Sequence, residues 1–338
     1  MAGDNPTVDR FSAAPERYPW HEALWSALSR QFDQLPHALL LQGRPGLGKH
    51  DFAVQLAQAF LCERPRNAVA CGQCHACHLF RVGTHPDLSG IGLADEARSI
   101  TVDQIRALGD FLSLRPHTAK RKVVIISPAE AMNLNAANSL LKQLEEPPSG
   151  CMLLLVTSHP ARLPATIRSR CARLLFRQPA AAVGLAWLRA RPNSGGNPAW
   201  LLNYAGGSPL LAESLESQDF LQLRAQLLQD LAALTQSREH PVACATRWKG
   251  MGTARVLGWL YGFANDLIKL GQGAPVSAMM NKEAVSFEIV IKNKYKISEL
   301  YDFIDAILEK YRQLNSPIDE LLMLEDVLIR WVRLSRLQ

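Results

Sequence analysis

Two stretches of the chain carry residues whose types and spacing could do chemistry. The first reads Gly43-Arg44-Pro45-Gly46-Leu47-Gly48-Lys49-His50 and follows the apolar run Leu39-Leu40-Leu41. A glycine, four residues and then Gly-Lys is the spacing of a phosphate-binding loop. In such a loop backbone N–H groups turn inward around an anion and the lysine reaches its oxygens. The last position is ordinarily Ser or Thr, whose hydroxyl holds Mg²⁺. Here it is His50. Gly43, Gly46, Gly48 and Lys49 therefore form a candidate nucleotide cradle with one metal contact removed.

The second stretch holds Cys62, Cys71, Cys74 and Cys77. Two C-x-x-C turns share Cys74, each presenting two sulfurs to one ion, and Cys62 lies nine positions before Cys71. Four thiolates satisfy a tetrahedral structural Zn²⁺ site. A redox pair would use two cysteines and leave the others unexplained. His75 and His78 are alternative ligands that four cysteines make unnecessary. Clustering of this kind points to metal in a reducing cytoplasm rather than to disulfides.

The elements that must position these groups are legible from periodicity. Tyr18–Gln34 reads as one helix, with Trp20, Leu24, Leu28 and Phe32 at four-residue steps. His37–Gln42 reads as a buried strand entering the loop, and Asp51–Leu61 as the helix leaving it. A second strand is expected over Asp87–Leu93. Thr101–Leu114 is a helix opened by a capping box, Thr101 with Gln104. Lys122–Ile126 is a β-branched run expected as a central parallel strand. A helix over Asn133–Leu144 places Leu134, Ala137, Leu141 and Leu144 in register. A strand at Cys151–Val156, a short helix at Leu163–Arg170 and a last strand at Arg173–Phe176 follow. Alternation of this kind means a parallel sheet with helices on both faces.

Beyond residue 178 helical periodicity dominates: Val183–Arg191, Ala199–Ala205, Pro209–Leu215, Phe220–Leu234, Gly252–Leu270, Ile297–Leu314 and Pro317–Leu334. Only Phe287–Ile291 has β character there. The lysine-rich Lys282–Lys296 reads as no more than a solvated face.

A phosphate loop that hydrolyses ATP needs acids after the third strand to order Mg²⁺ and water. After Ile126 the chain reads Ser127-Pro128-Ala129-Glu130, so serine and proline hold those positions and Glu130 comes late. Both metal contributions are missing, which argues against unaided hydrolysis. Arg170, in Arg168-Ser169-Arg170-Cys171, ends a short helix on the sheet's rim. A surface arginine commonly makes an ion pair. At such a rim its planar, permanently charged guanidinium can instead reach the γ-phosphate held by a neighbouring subunit.

Composition sets wide bounds. The 338 residues are 48% hydrophobic and 20% charged, with a formal net charge of +6. That is ordinary for a soluble globular protein of two or three domains. The charge surplus lies mostly in residues 1–178 and is too small to argue for nucleic acid by itself. Met1–Arg17 is polar, unlike a signal peptide, and no apolar run reaches membrane-spanning length. A cytoplasmic protein is expected.

Several of these features together resemble the bacterial clamp-loader subunits of the AAA+ ATPases. The matching residues are the phosphate loop, the four-cysteine module after its helix, Thr84-His85-Pro86-Asp87, Asn138-Ser139-Leu140-Leu141-Lys142-Gln143-Leu144-Glu145-Glu146-Pro147-Pro148, and Arg168-Ser169-Arg170-Cys171. The gamma/tau ATPases of that assembly share nearly all of them, so the departures decide. An active member would be expected to have Thr or Ser at 50, Asp-Glu at 127–128 and an arginine two residues beyond Ser208. This chain has His50, Ser127-Pro128 and Leu210, which resembles the non-hydrolysing delta-prime branch of DNA polymerase III.

The resemblance implies an AAA+ core over 1–178 with an inserted zinc module, a three-helix lid over 179–214 and a helical collar for oligomerisation over 215–338. It implies gamma/tau and delta subunits as partners, the sliding clamp and primer-template DNA reached through the complex, and Arg170 as a finger in trans. It also implies structural Zn²⁺ as cofactor and ATP not productively bound. The alternatives are an active ATPase using His50 and Glu130 for the metal, and a zinc-module nucleic-acid-binding protein. The absence of clustered aromatic and basic residues speaks against the last.

Overall fold

The computed structural model describes residues 16–94, 97–191, 198–215, 218–276, 279, 281, 296–314, 316 and 318–336. Phe287–Ile291 and nearly all of Lys282–Lys296 lie outside them. By compactness the chain divides into one unit of Met1–Ser194 with Ala205–Glu213 and another of Gly195–Tyr204 with Ser214–Gln338.

The first unit is built on five strands: β1 (Ala38–Gln42), β2 (Leu88–Ile91), β3 (Lys122–Ile126), β4 (Cys151–Thr157) and β5 (Ala172–Leu175). They are parallel throughout and lie in the order β2-β3-β4-β1-β5. The strand occupying the middle is β4, with β3 one place out. Both are buried along their whole length, as a parallel sheet covered on two faces requires.

Alternate side chains divide between two cores. Val123, Ile125, Met152 and Leu154 join Phe52, Leu56 and Phe60 of α2 (Lys49–Leu61). Val124, Ile126, Leu153 and Leu155 join α4 (Val102–Ser113) through Ile105 and Leu108, and α5 (Leu134–Glu145) through Ala136, Leu140 and Leu144. The capping box of α4 is present in both directions, Thr101 with Gln104.

Two expectations need correction, and one helix had not been anticipated. Tyr18–Gln34 is not one helix but a 3-10 turn at Pro19–His21, α1 at Glu22–Ser29 and a second turn at Phe32–Gln34. Trp20 and His21 are drawn off the helical path because both bond the carbonyl of Leu47. On α5, Leu134 is 68% exposed and Ala136, Ala137, Leu140 and Leu144 make the buried face. The cap is Asn133, which accepts from Ala136 N–H, so Leu134 falls in the first turn facing solvent. A helix over Pro241–Lys249, absent from the periodic reading, packs Cys244, Ala245 and Trp248 inward.

Asp87 positions the sheet. Its carboxylate, fully buried, accepts from the N–H groups of His117, Thr118 and Ala119 and from the Thr118 hydroxyl, at 2.7 to 3.2 Å. Burial alone would raise its pKa, but those donors outweigh burial and hold it below the usual carboxylate range. The Thr-His-Pro-Asp stretch is thus a latch tying the start of β2 to the turn before β3.

The second unit is helical. Its core gathers Leu231, Trp248, Leu257, Phe263, Leu300, Ile307, Leu324 and Trp331. Buried Asp230 accepts from Trp248 Nε1 at 2.8 Å and from Arg247 at 3.0 Å, so both donors on that helix face are satisfied. Among the described residues no helix is long and apolar enough to cross a membrane.

Candidate functional site

The phosphate loop connects β1 to α2, and Gly46 and Gly48 both sit at positive φ, 72° and 75°. The turn therefore has the form the spacing demands. Its neighbours, however, are protein. A Cβ on Gly46 would lie 2.5 Å from the Cβ of Leu211, and one on Gly48 would lie 2.5 Å from the Tyr18 ring. Glycine is required here for packing as well as for the turn.

The loop's polar groups are also engaged. Lys49 is 95% buried, with only 5% of its surface exposed, and its Nζ donates to the carbonyl of Arg44 at 2.6 Å and to Ser158 Oγ at 3.0 Å. Burial lowers its pKa to about 8, partly offset by the charge of Glu130. Leu210 N–H donates to the carbonyl of Gly46 at 3.2 Å. The carbonyl of Leu47 accepts from Trp20 Nε1 at 3.1 Å and from His21 Nε2 at 2.7 Å. Tyr18, Trp20 and Trp187 pack as an aromatic cluster beside the loop, with centroids 5.0 to 5.9 Å apart.

The two substituted metal positions meet each other. His50 Nδ1 and Ser127 Oγ form a hydrogen bond at 3.2 Å. Glu130 Oε1 accepts from Ser158 N–H at 3.0 Å and from His159 Nδ1 at 3.2 Å, while its buried Oε2 has no partner among the described residues. Burial opposes its ionisation, but these backbone and side-chain donors keep it a carboxylate. Leu210, where an arginine would be expected, offers the loop a backbone N–H and no charge.

His21 makes the packing pH-sensitive. It is 1% exposed, its Nε2–H donates to Leu47, and its Nδ1 is buried with no partner among the described residues. Burial lowers its pKa from 6.5 to about 4. The unfolded chain therefore takes up a proton first as pH falls. Stability from this group is complete above about pH 6.5 and is lost toward pH 4, by roughly 3 kcal/mol at ~1.4 kcal/mol per unit. His21→Gln keeps a donor but cannot titrate. The fall in melting temperature between pH 7 and pH 4.5 should be shallower in that variant than in the parent, as thermal unfolding monitored by circular dichroism would show.

Arg170 lies at the end of α6 (Ala165–Arg170), where Cys171 is buried and anchors the turn. Its guanidinium donates to the Thr166 carbonyl at 3.1 Å and pairs with Glu145 at 2.5 Å, with 36% of its side chain exposed. The two most specific motifs thus meet, since Glu145 belongs to the Leu-Leu-Lys-Gln-Leu-Glu-Glu run at the end of α5.

The four cysteines converge. Their sulfurs all lie within 4.8 Å of one another, and those of Cys62 and Cys74 are 3.9 Å apart. Four ligands at about 2.3 Å around a tetrahedral ion stand about 3.8 Å from each other, so the donor set could hold a metal of this kind. Backbone N–H groups already point at the sulfurs: Arg64 and Cys71 toward Cys62, and Cys77 toward Cys74. Such donors favour thiolates. His75 and His78 are exposed and stand outside this group.

Ser158 and His21 were not singled out by sequence; Tyr18 and Trp20 entered only as parts of a helix, and Glu145 only as part of the matching motif, with no role assigned. Ser158 follows β4, the strand beside β1, so strand order would have brought it to Lys49. Nothing in the spacing signals the aromatic contacts.

Comparison with known proteins agrees with this geometry. A family model described as DNA polymerase III, delta subunit matches residues 20–180, and one described as DNA polymerase III, delta subunit, C terminal matches residues 218–333. The DNA polymerase III subunit delta' of Pseudomonas aeruginosa is 35% identical over 325 residues, covering 94% of this chain and 98% of that protein. The Escherichia coli subunit delta' is 31% identical, covering 93% and 94%. The Bacillus subtilis subunit tau is 37% identical over 142 residues, but covers only 42% of this chain and 25% of its own. With a five-stranded parallel sheet in its first unit, a helical second unit and similarity over nearly its whole length to that subunit, the chain belongs to the delta-prime family of DNA polymerase III clamp-loader subunits.

Proposed function

We propose that this subunit does not hydrolyse ATP itself and instead completes the ATP site of a neighbouring subunit through Arg170. The observation that carries this reading is the His50–Ser127 hydrogen bond. The two residues standing where Mg²⁺ would be held engage each other, while Lys49 is spent on Arg44 and Ser158. Arg170 is half-exposed on the rim, held by an ion pair that a stronger anion can displace. A γ-phosphate carries more charge than Glu145 and matches the guanidinium fork equally well.

The partners are the gamma/tau and delta subunits, the clamp and primed DNA being reached through the assembly. Residues 179–214 act as a lid on the AAA+ core and 215–338 as the collar that assembles with other subunits. Cys62, Cys71, Cys74 and Cys77 hold one structural Zn²⁺, which supplies cross-linking of the module and no chemistry on substrate. Gel filtration of the chain mixed with gamma/tau and delta subunits should give one stable complex. An autonomous ATPase or a free-standing nucleic-acid binder would elute alone, and that outcome removes this reading.

A further inference from the structure

Arg170 is folded back on its own helix. Its Nη1 donates to the carbonyl of Thr166, four residues earlier on α6, at 3.1 Å, and its Nη2 meets Glu145 Oε1 at 2.5 Å. The guanidinium therefore lies toward the N-terminal end of α6, the direction helical geometry gives long side chains. Both outer nitrogens are engaged within the chain. A finger that reaches an oxygen on another subunit has to leave these partners.

Glu145 is anchored rather than a loose surface acid. It is the last residue of α5, and the carbonyl of Leu144 before it accepts from His37 Nε2–H at 3.1 Å. His37 precedes β1, and its own carbonyl accepts from Leu153 N–H of β4 at 2.7 Å. This helix end is thus tied to the two strands beneath it. Arg170 is fixed from its side by buried Ile167 and Cys171. The ion pair joins two elements that the core already holds in place.

Glu145 also breaks a local rule. The C-terminal end of a helix carries partial negative charge on its unsatisfied carbonyls, which favours a cation there and disfavours an acid. α5 ends on Glu145 with Glu146 as its cap. The helix gains nothing from that placement, whereas the guanidinium facing it does. A locally unfavourable residue with one specific partner marks a functional position.

We propose that Glu145 parks Arg170, a reading that rests on Arg170 being a finger in trans. Glu145 is a positioning residue. Its carboxylate holds the guanidinium against α6 while the neighbouring site is empty, and yields it when a more highly charged γ-phosphate competes for the same Nη2. A finger that is free for only part of the time lowers the neighbour's apparent affinity for ATP by the fraction that is free. Removing the parking anion should then strengthen ATP binding in trans. An anion that aimed the finger would weaken it on removal, so the sign of the effect separates the two roles.

The test uses the assembly reconstituted with gamma/tau and delta subunits, titrated at equilibrium with a fluorescent ATPγS analogue. The sites that Arg170→Ala weakens are the ones the finger serves, and those are scored. Glu145→Gln keeps the size and removes the charge. It should tighten binding there by about two- to fivefold, the equilibrium equivalent of an exposed ion pair, and lower the KM for ATP by the same factor. In an Arg170→Ala chain the same substitution should change nothing, because the coupling runs through the guanidinium. Unchanged or weaker binding with Glu145→Gln, beside a clear loss with Arg170→Ala, overturns the parking and leaves the finger standing. A gain that persists in the Arg170→Ala chain also overturns it and assigns the effect to α5. Arg170→Ala that slows turnover without weakening binding overturns it too, since Glu145 then has no contact to compete with. Arg170→Ala that alters neither binding nor turnover removes the finger itself, and the parking with it.

Discussion

Arg170→Ala, assembled with gamma/tau subunits, is expected under the proposed role to lower ATP turnover by about 10³-fold or more, the scale of an arginine finger. At room temperature that is about 4 kcal/mol of transition-state stabilisation. The side chain lies on the surface, with partners among the described residues only in Thr166 and Glu145, so its loss is expected to leave Cys171, Ile167 and the sheet core unchanged. Complex formation should therefore survive and separate a catalytic defect from an assembly defect. Arg170→Lys should rescue little, because an ammonium cannot match the planar fork against a transferring phosphoryl group. Glu145→Gln removes the pairing anion but not the finger, and should leave turnover near that of the parent. DNA-stimulated phosphate release by the reconstituted assembly measures all three. Unchanged turnover with Arg170→Ala would remove Arg170 from the mechanism.

The second large effect concerns the cysteine module. Cys74 has two roles, since its sulfur is one corner of the cluster and also accepts from Cys77 N–H as the cap of α3 (His75–Arg81). Cys74→Ser keeps a cap acceptor but replaces a soft thiolate with a hydroxyl, so the substitution isolates the metal contribution. Structural Zn²⁺ sites are worth on the order of 10–16 kcal/mol over four ligands. Loss of one ligand should reduce zinc affinity at least about 10²-fold and metal content from about one per chain to near zero. The module's own core is small, Cys62, Cys74, Ala76 and Cys77, and separate from the two cores flanking the sheet. Proteolysis should therefore open first between residues 62 and 75, with most helical signal retained. Metal analysis on a chelator-treated sample and limited proteolysis check both halves. Zinc content and protection that both survive Cys74→Ser would refute the site.

Most of the first unit was legible because a doubly covered parallel sheet writes its strands as uninterrupted apolar runs. Lys122–Ile126 is one such run, and its bounds agree to the residue. The convergence of the four cysteines was legible because side chains able to hold one metal ion must obey a spacing. What escaped depends on contacts between distant parts of the chain. Pro19 and the pull of Leu47 on Trp20 and His21 break a pattern that looked helical from Tyr18 to Gln34. The helix over Pro241–Lys249 has only three buried positions, too few for a period to stand out, although Pro241 at its first position with His240 as cap was a local signal. Above all, the sequence displays His50 and Ser127 as two separate losses, 77 residues apart. Only strand order places the end of β3 against the start of α2 and turns two absences into one contact.

That contact is the core of the functional reading, and steady-state ATP hydrolysis by the purified, isolated chain in the presence of Mg²⁺ tests it most directly. Phosphate release indistinguishable from a protein-free control is the expected result. Turnover on the order of 1 s⁻¹ or faster, the ordinary range of a working enzyme, would contradict it.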